Sequence, residues 1–170
     1  LPPGFSFDPR EATGVERSNN FILGNAARNE AGLSFNAELP LGTMTAYGFG
    51  GYTYRTVETV FLWRTPRDDR NVRAIFPNGY APVYDAHISD AQLVVGIKGN
   101  AGEWQWDLSE SWGLSRSANY AENTVNPSYG TASPTSFFSG SQRIGQATTN
   151  LDARREFDVG LRNPLRVAVG

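Results

Sequence analysis

After about residue 30, apolar and polar residues alternate with a period of two, and helical periodicity is scarce. The clearest stretch is 103–117. Its even positions are Trp104, Trp106, Leu108, Glu110, Trp112, Leu114 and Arg116, whereas its odd positions are Gln, Asp, Ser, Gly and Glu. Successive side chains of a strand point to opposite faces, so this pattern predicts a strand with one aromatic, apolar face and one polar face. The same reading predicts a strand over 31–39, with Leu33, Phe35, Ala37 and Leu39 on one side and Ser34, Asn36 and Glu38 on the other. Over 91–98, Ala91, Leu93, Val95 and Ile97 oppose Gln92, Gly96 and Lys98; over 144–157, Ala147, Thr149, Leu151, Ala153 and Phe157 oppose Gln146, Asn150, Asp152 and Glu156. Residues 44–56 read as a strand rich in Tyr and Thr, blurred by Gly48, Gly50 and Gly51. A sixth strand starts near Leu165.

The connections sharpen this picture. Residues 40–43, 99–102 and 158–164 are short and built of turn formers, whereas 57–89 and 118–143 are long. The order short, long, short, long, short is that of an up-and-down meander with tight turns on one rim and long loops on the other, as in outer-membrane barrels. The strands read here exceed the roughly 5–6 residues usual in soluble sheets and suit the roughly 9–11 needed to cross a bilayer. Trp104 and Trp112 share a face at a spacing of roughly 26 Å along the strand. At a tilt of about 40° that projects to roughly 20 Å, close to the height of a membrane barrel's apolar band between its aromatic girdles. Alternation by itself fits equally the core of a soluble sandwich. Glu110 is the misfit on the apolar face in either case.

Composition removes several classes. The 170 residues carry 15 Lys+Arg and 17 Asp+Glu, a net charge of −2, so there is no basic excess to neutralise nucleic-acid phosphates. Aromatics at 12% beside charged residues at 19% argue against disorder. With no cysteine, disulfide scaffolds, thiolate zinc sites and cysteine nucleophiles are excluded. Apolar runs such as 93–97 fall far short of a membrane helix. The chain opens Leu1-Pro2-Pro3-Gly4 and stops within a strand-like run, so it is expected to be a segment of something longer. Residues 1–30 read as an irregular lead-in, and 31–170 as strands and loops.

Several phrases are then familiar in order. Asn36-Ala37-Glu38-Leu39-Pro40-Leu41, Tyr47-Gly48-Phe49-Gly50 and Tyr52-Thr53-Tyr54-Arg55 resemble early barrel strands of TonB-dependent outer-membrane receptors. So do the loop phrase Arg70 to Gly79, the strand Trp104-Gln105-Trp106-Asp107-Leu108-Ser109, and the later phrases Ser133-Pro134-Thr135-Ser136-Phe137, Asn150-Leu151-Asp152 and Phe157-Asp158-Val159-Gly160. The resemblance covers nearly the whole chain from about Glu30. It implies an all-β segment of about six strands from a 22-stranded barrel in the bacterial outer membrane, taking up a scarce ligand such as a siderophore, cobalamin or glycan. It also implies contact with outer-membrane lipid, and coupling to TonB through parts of a parent chain other than these residues. The family's plug and energy-coupling box have no counterpart in them.

Candidate chemistry is thin. Asp85, His87 and Asp90 form a D-x-H-x-x-D cluster, but three ligands this close rarely converge without a partner strand, and a polar loop accounts for them. Ser139-Gly140-Ser141 is no nucleophile elbow, and His87 is the chain's single histidine. Asp68 and Asp69 lie among arginines, which lower carboxylate pKa values, the wrong direction for a general acid. Gly48, Gly50 and Gly51 lack the helix start that a phosphate cradle needs. No catalytic residue, cofactor or metal site is expected. Arg64, Arg67, Arg70 and Arg73 recur at every third position, ahead of Phe76 and Tyr80. In an extended threefold or 3₁₀ conformation they would line one side and, with Tyr80, offer an anionic small molecule or a phosphate a row of guanidinium forks. Solvated loop arginines partly neutralised by Asp68 and Asp69 are the plainer account. Trp104, Trp106 and Trp112 are the expected lipid-facing aromatics. Two other readings compete with the barrel: a soluble antiparallel β domain binding carbohydrate through aromatic faces, and, far behind, a hydrolase using His87.

Overall fold

The computed structural model of the chain describes Gly24 and residues 26–170. Six strands follow in chain order: β1 (Ala27–Leu41), β2 (Met44–Val60), β3 (Val83–Ala101), β4 (Trp104–Glu122), β5 (Phe137–Phe157) and β6 (Leu165–Val169). They form one antiparallel sheet in the order β1-β2-β3-β4-β5-β6, a meander whose edges are β1 and β6. The all-β meander read from the alternation is therefore present, as an open sheet. Topology alone sends the β1–β2, β3–β4 and β5–β6 turns to one end of the strands, and the β2–β3 and β4–β5 loops to the other.

The strands are longer than the sequence pattern indicated. β3 begins at Val83 rather than Ala91, and β5 at Phe137 rather than Ile144. The long loops shrink accordingly to 61–82 and 123–136. Towards the loops both faces carry mixed residues, as in Tyr84-Asp85-Ala86-His87, so backbone pairing continues where the apolar–polar contrast fades. β1 starts at Ala27, inside the stretch expected to be irregular; the remainder of that lead-in, apart from Gly24 and Ala26, lies outside the described residues.

Tight turns are set by glycines with positive φ, Gly42 at 67° and Gly102 at 63°, a conformation that L side chains rarely adopt. The described chain divides into two compact units. One comprises 30–55, 88–117 and 142–170 and carries the short turns; the other includes 56–87 and 118–141 and carries both long loops. The apolar residues buried in the described chain, Tyr80, Ala81, Ala86 and Val125, all belong to the loop-bearing unit.

In the other unit the sheet has two contrasting faces. One holds Phe35 against Gly50, Val95 against Gly48, and Met44 and Trp106 against Gly99. Leu33, Leu39 and Leu151 on this face are 68%, 60% and 62% exposed. The opposite face is polar: Lys98 Nζ donates to Glu38 at 2.7 Å, Tyr47 Oη to Asp107 at 2.7 Å, and Ser115 Oγ to Asp90 at 2.6 Å. Among the described residues no second layer covers the apolar face.

Gly50 admits a close approach that no other residue allows. A Cβ there would lie 2.6 Å from the carbonyl oxygen of Gln92 and 3.0 Å from the Phe35 ring. Gly50→Ala should therefore wedge β2 from β3 and cost about 1–3 kcal/mol. Gly113→Ala, with nothing within 4 Å of its added carbon, should be neutral. Thermal midpoints of the two variants check this; equal midpoints would contradict it.

Candidate functional site

The first long loop is a closed module. Its neck is an antiparallel bridge in which Arg64 N donates to Tyr80 O at 2.7 Å and Tyr80 N to Arg64 O at 3.0 Å. Between them runs a succession of four-residue turns: Asp68 N donates to Thr65 O, Asn71 N to Asp68 O, Ile75 N to Val72 O and Gly79 N to Phe76 O. The turns recur at spacings of three, four and four residues, so the regular period of three seen in the arginines is not repeated in the backbone. Gly79 takes a φ of 85° and sits where a Cβ would strike the Trp63 ring at 2.9 Å.

Tyr80 is the hub, at 2% exposure. Its ring stacks on Phe76 with centroids 4.5 Å apart, and its hydroxyl donates to the Arg70 carbonyl at 2.9 Å. Arg64 Nη1 donates to the same hydroxyl at 3.2 Å. Tyr80 thus holds the loop together from inside and offers no free surface to a ligand. Arg70 grips Asp68 as a fork, Nε to Oδ1 at 2.8 Å and Nη2 to Oδ2 at 2.7 Å. Arg73 Nε donates to the Pro66 carbonyl at 2.9 Å. So Arg64, Arg70 and Arg73 are engaged within the loop, and Arg67 is exposed without a hydrogen bond or ion pair among the described residues.

The second loop packs beside the first within the same unit. Asn126 caps the short 3₁₀ helix Pro127–Ala132 by accepting from Ser128 N, and its own N–H donates to Ser133 Oγ at 2.8 Å. Asn123, with φ 47°, donates through Nδ2 to the Ala81 carbonyl at 2.8 Å. Tyr84 Oη donates to Asn119 Oδ1 at 2.6 Å. These polar ties were missed in the sequence. The Asn126-Pro127 pair, an N-cap followed by Pro at the first helical position, was the local signal for the helix.

The other candidates separate. His87 Nε2 lies 2.9 Å from Asp85 Oδ2, and its ring is 5.4 Å from that of Tyr120. Asp90 instead meets Arg55 at 3.1 Å and Ser115. Among the described residues there is no group of three or more potential metal ligands. Trp104, Trp106 and Trp112 lie along the apolar face, with Trp104 edge-on to Phe157 and Trp112 43% exposed. On the same face the Thr149 hydroxyl donates to Glu110, which gives that carboxylate a partner.

No protein-family model matches the chain, and no curated protein or solved structure does either.

The best-defined electrostatic unit is therefore Asp68 with Arg70. The Arg70 guanidinium, together with its backbone N–H, holds the Asp68 carboxyl well below the usual carboxylate range, and Asp68 in turn raises Arg70. A depressed folded pKa contributes stability that is present above the unfolded value and lost as pH falls through the folded one. The fork should thus survive to pH values at which ordinary aspartates are protonated. Carbon-13 titration of the Asp68 carboxyl should show the depression, and Arg70→Gln should restore an ordinary value. An ordinary titration in the unaltered protein would contradict the fork.

Proposed function

We propose that this chain is a segment of the barrel of a TonB-dependent outer-membrane transporter, which takes up a scarce ligand such as a siderophore, cobalamin or glycan. The observation that carries the reading is the apolar face of a single meander sheet, left uncovered among the described residues beside a polar face rich in hydrogen bonds. A soluble sandwich or carbohydrate-binding sheet would bury that face under a second layer. Lipid supplies such an apolar neighbour, and alternating apolar-out, polar-in strands are what a membrane barrel requires.

Dimensions support the same reading. From Trp106 to Leu114 the apolar face spans roughly 26 Å along β4, or roughly 20 Å of bilayer depth at a tilt of about 40°. β2 to β5 have 17, 19, 19 and 21 residues, more than a crossing needs, so they extend past the bilayer on the side of the long loops. Glu110 falls inside the band, where its bond to Thr149 offsets part of the cost of a polar group facing lipid. The six strands of the described residues are fewer than the eight of the smallest closed single-chain barrels, so in this reading the remaining strands, the plug and the TonB contact come from other parts of a parent chain.

In this reading the long loops face outward and meet the ligand. Arg67 is the member of the arginine row free to meet an anionic group, while Arg64, Arg70 and Arg73 with Tyr80 build the platform beneath it.

Cysteine labelling tests the orientation. Asn78 lies in the first long loop and Asn100 beside a tight turn, and both are exposed. Asn78→Cys should react with a membrane-impermeant maleimide on intact cells, and Asn100→Cys only after the outer membrane is opened. Equal labelling of the two would refute the topology. Asn78 is preferred to the neighbouring Gly79, whose left-handed backbone and tight surroundings would strain a cysteine.

A further inference from the structure

We propose that Arg116 and Arg143 form a clamp for a lipid phosphate on the apolar face of the sheet, at the edge of the bilayer nearest the long loops. The inference rests on the barrel reading above. Its starting point is strand pairing. β4 and β5 set Glu110 beside Thr149 and Gln105 beside Arg154. Carried six residues on from Glu110, the same antiparallel pairing sets Arg116 opposite Arg143. On the other flank, Ser115 meets Asp90, so Ser89 of β3 comes opposite Arg116.

Both arginines belong to the lipid-facing set. Arg116 follows Trp112 and Leu114 at the same parity along β4, and Arg143 precedes Gly145, whose missing side chain would point at the Leu114 methyl at 4.0 Å. Both are exposed, and neither has a hydrogen bond or ion pair among the described residues. Other arginines of the sheet behave differently: Arg55 pairs with Asp90, Arg155 with Glu103 and Arg166 with Glu156. Two like charges directly opposite each other on neighbouring strands destabilise a sheet. An anion held between them reverses the sign of that interaction.

Position selects the anion. Leu114 and Trp112, two and four residues inward on the same face, mark where acyl chains would lie, so the arginines stand at headgroup level. β4 runs from its tight turn towards the second long loop, which puts this edge of the band on the outward side in the barrel reading. Guanidinium groups bind phosphate as bidentate forks, and the Ser89 hydroxyl adds a further donor in the same row. A phosphorylated lipid satisfies both requirements at once, with phosphate on the arginines and acyl chains along the apolar face.

The test uses the assembled protein in phosphatidylcholine nanodiscs containing either lipid A or lipid A stripped of its phosphates, with bound lipid counted by native mass spectrometry. The phosphorylated form should be retained preferentially, and the Arg116→Gln/Arg143→Gln double variant should lose about tenfold or more of that preference. The Arg116→Lys/Arg143→Lys variant should keep part of it, because charge remains while the fork is lost. Equal retention of the two lipids, or no change in the Gln variant, would overturn the clamp. Displacement of the lipid by inorganic phosphate at matching concentration would overturn the lipid as its ligand. Labelling at Asn78 and Asn100 in the same preparations separates the failures: opposite labelling without phosphate preference sinks the clamp alone, whereas equal labelling sinks the barrel reading with it.

Discussion

A single sheet has two faces, and water can be tolerated on only one of them when the other is lined by Leu33, Phe35, Leu93, Val95, Leu108, Trp112 and Leu151. Burying a large apolar side chain stabilises by about 1.5–3 kcal/mol relative to leaving it in water. Leaving a whole face of them uncovered is a correspondingly large debt for a chain whose sheet has no second layer among its described residues. Strand length, turn placement and the polar network opposite all make sense once that face is given an apolar neighbour. The polar face is organised in its own right: Glu38 with Lys98, Tyr47 with Asp107, and Arg55 with Asp90 and Ser115 tie neighbouring strands together. Such ties satisfy polar groups without requiring a packed core above them.

The loop-bearing unit solves a different problem. It carries buried side chains of its own, centred on Tyr80 and joined by Ala81, Ala86 and Val125. A series of turn hydrogen bonds, the Asp68–Arg70 fork and the Tyr80 hydroxyl replace strand pairing as the source of its shape. A loop built in this way is preorganised, and in the proposed function that lowers the ordering cost of meeting a ligand. Most of its arginines serve the scaffold. Arg67 is left over, and on the sheet so are Arg116 and Arg143.

Much of the sheet was legible because a strand with one apolar face writes a strict period of two. Residues 103–117 and 31–39 announced both their conformation and their faces, and the side-chain contacts across β1 to β5 follow that parity. The upper parts of β3 and β5 were not legible, since both of their faces bear mixed residues and the contrast that marks a strand disappears. The arginine spacing of three was visible, but the contacts these arginines make were not. Arg64 and the Arg70 carbonyl close on a buried tyrosine hydroxyl, a tertiary arrangement that puts Tyr80 inside the loop instead of on its surface. The Arg116–Arg143 pairing was equally hidden, because it depends on the alignment of β4 with β5, which neither strand specifies alone. Glu110 looked like an error of the pattern until Thr149 was placed beside it.

The central claim is that the face bearing Trp112 meets lipid. The most direct measurement is tryptophan fluorescence of the assembled protein in vesicles of phosphatidylcholine brominated along its acyl chains, taken as the difference between the unaltered protein and its Trp112→Phe variant. That difference removes the loop residue Trp63 and other tryptophans from the signal. The account predicts a blue-shifted Trp112 emission that brominated lipid quenches strongly and aqueous acrylamide barely touches. Emission from Trp112 that acrylamide quenches while brominated lipid leaves it unchanged would contradict it.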